Sequence, residues 1–101
     1  MPSDLSDIHH ETCAEGGRYR LHLADTAEPA ILEYTQDPAH PQQIVAKHTR
    51  VPDAMRGHGV ALRLVQRLVA DARANGWRVE PRCSYVRAQA ERHPEWADVF
   101  A

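Results

Sequence analysis

Val51-Pro52-Asp53-Ala54-Met55-Arg56-Gly57-His58-Gly59-Val60-Ala61 joins a stretch with strand character, residues 43–51, to a strongly amphipathic one, residues 58–75. The junction is basic and rich in glycine. At the start of a helix the first N–H groups have no partner within the helix and the macrodipole is positive, so such a turn is suited to hold an anion. Gly57 and Gly59 remove side chains that would obstruct the approach of a phosphate.

Spacing separates three phosphate-binding patterns. No Gly-Lys-Ser/Thr follows, which excludes a Walker A loop. The dinucleotide fingerprint needs Gly or Ala three residues after its second Gly, and Leu62 stands there. The third pattern, Arg/Gln-x-x-Gly-x-Gly/Ala, fits as Arg56, Gly59 and Ala61, and it resembles the pyrophosphate loop of the GNAT acetyltransferases. The resemblance extends to His48-Thr49-Arg50-Val51-Pro52 before the loop, Pro81-Arg82-Cys83-Ser84-Tyr85-Val86 after it, and Arg92-His93-Pro94-Glu95-Trp96 near the end. From about Arg18 onward the chain looks like the small single-domain GNAT-like proteins of the YjdJ type, also described as N-acetyltransferase domain-containing.

That resemblance implies an α/β (α+β) fold, a mostly antiparallel sheet with two main helices, binding of acetyl-CoA or CoA, and acetyl transfer to an amine acceptor that the family leaves undefined. It also implies roles. The backbone of Arg56, Gly57, His58, Gly59, Val60 and Ala61 would clasp the pyrophosphate, and contacts to the pantetheine arm would begin at Val51, where the strand diverges from its neighbour. The two N-terminal helices that usually form the acceptor side of this fold have no counterpart in the sequence, which keeps open the alternative of a non-catalytic CoA-binding or protein-interaction module.

The remaining segments support one small domain. A chain of 101 residues with ordinary apolar content can bury a modest core without disulfide or metal. Residues 1–17 are polar and weakly periodic, and read as a flexible start to a domain spanning 18–101. Residues 18–24 alternate as a half-buried strand, residues 30–34 supply a second, and residues 43–51 a third. Asp37-Pro38-Ala39-His40-Pro41 reads as a loop, because two prolines deny the ladder its donors. In residues 58–75, Ala61, Leu64, Val65, Leu68 and Ala72 recur at helical spacing, and Asn75-Gly76 signals the end. Residues 77–81 read as a short strand, with Ser84 as cap of a second helix that stops at His93-Pro94. The expected order is β-β-β-α-β-α.

A formal net charge of -2 gives no general attraction to nucleic acid or anionic membrane. No apolar run approaches the roughly 20 residues that cross a bilayer. Two cysteines without metal spacing or a leader suit a cytoplasmic protein, monomeric or weakly dimeric. The seven histidines show no metal pairing.

Three side chains stand out for catalysis. Cys83 lies beside Arg82 at a helix start, where thiolate is favoured over thiol; the resemblance places a cysteine there near the thioester, while the plainer reading is a small filler of the strand–helix junction. By alternation His48 shares a face with Ile44 and Ala46, and an ordinary pKa of about 6.5 suits a general base or a hydrogen-bonded structural histidine. Tyr85 matches in approximate position a tyrosine that protonates the departing CoA thiolate in this fold, or else packs on cofactor or core. Arg63 and Arg67 sit one turn apart, within reach of a 3'-phosphate or on a solvated face.

Overall fold

The computed structural model describes residues 8–22, 28–53 and 59–100. Strands β1 (Ile8–Cys13), β2 (Gly16–Leu21), β3 (Ala30–Asp37) and β4 (His40–Arg50) precede helix α1 (Val60–Asn75), strand β5 (Arg78–Pro81), helix α2 (Ser84–Arg92) and a 3-10 turn, Pro94–Trp96. They form one five-stranded sheet in the order β1-β2-β3-β4-β5. The first four strands are an antiparallel meander, and α1 crosses over to bring β5 parallel to β4. A parallel neighbour requires such a crossover, because a tight turn cannot return the chain in the same direction.

Amphipathic spacing places α1 on this sheet. Val60, Leu64, Val65, Leu68, Val69 and Ala72 are buried against Tyr19, Leu21, Leu32, Ile44 and Val79, and Val86 of α2 joins the same cluster. Each fully buried Leu or Val contributes about 1.5–3 kcal/mol by leaving water. Gly76 ends α1 in the left-handed region (φ 70) and turns the chain so that the Trp77 N–H reaches Ala72 O at 2.9 Å. Beyond α2, Trp96 is buried, and Val79 N–H donates to Val99 O at 2.8 Å, so the C-terminal segment covers the outer edge of β5. Arg73 clasps Asp98 through Nε and Nη2 at 3.1 and 3.0 Å, tying that segment to α1.

Several expectations are corrected. Residues 8–13, expected in the flexible start, pair with β2 from Ile8↔Leu21 to Cys13↔Gly16, so the order is β-β-β-β-α-β-α. Burial explains the attachment: Ile8 enters the core, while His10 stacks on Tyr19 at 4.3 Å and meets Tyr34 Oη at 2.7 Å. The loop expected at residues 37–41 shrinks to a turn at Pro38-Ala39, and Pro41 lies inside β4. There β4 has run past its pairing with β5, which starts at Gln43, and lies at a register shift with β3, so a missing N–H breaks no ladder bond. Cys83, not Ser84, occupies the N-cap position of α2, and Ser84 is its first residue. The expected helix start at His58 lies outside the described residues; α1 is described from Val60. No described helix is long and apolar enough to cross a membrane.

Candidate functional site

The site begins where the two parallel strands part. Pairing of β4 with β5 ends at Ala46↔Pro81. Proline has no N–H with which to extend the ladder, and the next two amides, of Arg82 and Cys83, both turn onto Ala46 O at 3.0 and 2.9 Å. From His48 to Arg50, β4 is therefore paired with β3 alone, and its other edge has no strand partner among the described residues. Cys83 stands just beyond the point where the strands part, half-buried against the core, with its thiol donating to Thr49 Oγ1 at 3.3 Å.

A bulge decides which β4 side chains meet Cys83. Glu33 pairs with His48 but Tyr34 pairs with Ala46, so Lys47 has no opposite number on β3. The extra residue reverses the alternation. Thr49, paired with fully buried Leu32, takes the inward direction of Ile44 and Ala46, while His48 is exposed beside Glu33. The shared face expected for His48, Ile44 and Ala46 is thus not formed. Sequence reasoning missed Thr49 as the partner of Cys83; its place within His48-Thr49 was the sole signal.

The other expected residues are placed as follows. Val51 is half-buried and rests on the core at the end of β4. Arg56, Gly57 and His58 lie outside the described residues. Gly59 precedes α1 in the left-handed region (φ 67), with no atom of the described residues within 4 Å of where a Cβ would stand, and no side chain caps the helix start. Val60 is buried in the core and Ala61 half-buried behind it. A positive helix end without a side-chain cap fits a phosphate group. Tyr85 is half-buried in the first turn of α2, and burial pushes its hydroxyl above the ordinary tyrosine range, which keeps the proton on oxygen at neutral pH.

A second polar cluster ties β1 to α1. Tyr19 Oη donates to Asp71 Oδ2 at 2.8 Å, Arg67 Nε holds the same carboxylate at 3.2 Å, and Arg67 Nη1 donates to Ile8 O at 3.2 Å. His10 Nδ1 lies 3.6 Å from Asp71, and burial holds its pKa below the ordinary histidine value despite that carboxylate. Burial also pushes the Tyr34 hydroxyl, its other partner, up to about 12. A shallow concavity of about 550 Å³ on the other side of the sheet is lined by Glu11, Gly17, Glu33, Thr35 and Lys47 among others, and includes neither Cys83 nor Thr49. Among the described residues no group of three His, Cys, Asp or Glu side chains could hold a metal ion.

A family model described as GCN5-related N-acetyl-transferase matches residues 18–99. The solution structure of a GCN5-like protein from Staphylococcus aureus superposes with a TM-score of 0.68 at 22% identity, over 95% of this chain and 90% of that one. At that identity the likeness is one of fold. None of the curated proteins compared with the chain matches it.

Proposed function

Because the chain belongs to the GCN5-related N-acetyltransferase family, we propose that it moves an acetyl group from acetyl-CoA to an amine acceptor, with the thioester in the opening between β4 and β5. The observation that carries this reading is the parting of those strands at Ala46 and Pro81, with the Cys83 thiol at the mouth. The unpaired edge of β4 offers backbone groups to the pantetheine amides. The start of α1, with Gly59, Val60 and Ala61, receives the pyrophosphate, and Arg56, Gly57 and His58 complete the loop.

In direct transfer an unprotonated acceptor amine attacks the thioester carbonyl, the carbon–sulfur bond breaks, and the CoA thiolate takes a proton. Tyr85 is the candidate donor by its place in the first turn of α2, although burial, by raising its pKa, makes it the weaker acid. His48, exposed on the other side of the strand from Thr49, or a water takes the acceptor's proton. In the covalent route Cys83 attacks first, its proton leaves with CoA, and the amine then attacks the acetyl-cysteine and restores the thiol. The two free cysteines suit a reducing, cytoplasmic setting. The motifs flanking the loop favour the small YjdJ type of the family.

Incubation with acetyl-CoA and a panel of amines, polyamines and lysine peptides, read by intact mass, tests the reading. Acetylated acceptor is the expected result, and a protein adduct lost in Cys83→Ala identifies the covalent route. Cofactor binding with no transfer to any acceptor would leave a CoA-binding module, and no binding would refute the proposal.

A further inference from the structure

Thr49 is held against the Cys83 sulfur. The bulge at Lys47 turns Thr49 inward, and its pairing with buried Leu32 fixes that face. Branching at Cβ restricts its χ1, so the hydroxyl has few directions available. From the other strand the Cys83 N–H is pinned to Ala46 O at 2.9 Å, just before the bulge, and the two side chains meet at 3.3 Å across 34 residues of sequence. No other side-chain partner of Cys83 exists among the described residues.

We infer that Thr49 is a positioning residue: its hydroxyl aims the Cys83 sulfur into the opening and stabilises the thiolate. A threonine hydroxyl both accepts and donates. It accepts the S–H bond in the thiol form; once the proton has gone to water, the O–H rotates and donates to the thiolate, which it stabilises more than the thiol because hydrogen bonds to charged groups are the stronger ones. The bulge thus hands to Thr49 a place that simple alternation would give to His48. This inference rests on the role proposed above for Cys83.

The test is the rate of alkylation by iodoacetamide, followed at each cysteine by peptide mass, with exposed Cys13 as internal reference. Valine matches threonine in shape and lacks the hydroxyl. Thr49→Val is expected to slow alkylation of Cys83 roughly fivefold near neutral pH, the scale of one net hydrogen bond, and to leave Cys13 unchanged. Thr49→Ser restores the rate, and the gap closes at high pH, where the thiol ionises in every variant. An unchanged or faster rate in Thr49→Val, a serine variant as slow as valine, or a gap that persists at high pH would each overturn the inference. If Thr49→Val does not fold, Thr49→Ala against Thr49→Ser makes the same comparison. Alkylation needs no acetyl-CoA, so a failure here is read separately from a failure of cofactor binding.

Discussion

Gly59 and Gly76 form a matched pair at opposite ends of α1. Their φ values are 67 and 70, and neither has an atom of the described residues within 4 Å of where a Cβ would stand. Among the described residues a Cβ at either position meets no clash, and its cost is that of holding a non-glycine residue in the left-handed region, about 1–3 kcal/mol. In a domain of this size each kcal/mol lowers Tm by about 4–8 °C, so Gly59→Val and Gly76→Val are expected to melt within a few degrees of each other. Their effect on acetyl-CoA is expected to differ. At Gly59 the new side chain occupies the approach to the first amides of α1, and loss of one charge-assisted contact of about 1.5–3 kcal/mol weakens binding roughly 10- to 100-fold. At Gly76 nothing near the opening changes. Calorimetric titration of both variants, beside their melting curves, separates ligand contact from helix stability. Equal affinities in the two variants would refute the placement of the pyrophosphate at the start of α1.

Leu68→Ala is expected to cost about 2–5 kcal/mol, since Leu68 is fully buried between α1 and the sheet; equilibrium urea unfolding measures it, and a loss under 1 kcal/mol would contradict the packing. His10 makes stability depend on pH in a definite sense. Its pKa is lowered by burial in the folded state, so its neutral form stabilises the fold fully above the unfolded value of about 6.5, and that contribution is lost as pH falls through this value toward the folded pKa. Asp71 and Arg67 act on it with opposite signs, and Tyr19 and Tyr34 flank it. Wild type is therefore expected to lose more stability than His10→Gln between neutral pH and pH about 5; parallel urea titrations with the same slope for both would refute this. Cys83→Ala is expected to abolish any acetyl adduct on the protein, and an adduct that survives in the variant would exclude the covalent route through this thiol.

What could be read in the sequence was local. Residues 60–75 announce a helix because their apolar spacing is unbroken and Gly76 follows, and β2 to β5 carry alternation or apolar runs between turn residues. The fold class rests on these elements and on the motifs flanking the loop. β1 gave no such signal, since its inward positions are Ile8 and then His10, a polar residue whose partners Tyr34 and Asp71 arrive from β3 and α1. The bulge at Lys47 was equally hidden, being a property of the pairing with β3 rather than of either strand alone. For that reason alternation alone points His48 to the face of Ile44 and Ala46 and leaves Thr49 on the other, although both lie in one short segment. Cys83 was legible as a residue at a helix start, but its partner across the opening was not.

The most direct test of the central claim is a calorimetric titration of the protein with acetyl-CoA. Saturable one-to-one binding, weakened in Gly59→Val and retained in Gly76→Val, is the result the account predicts. Absence of binding to the well-folded wild-type protein would contradict it.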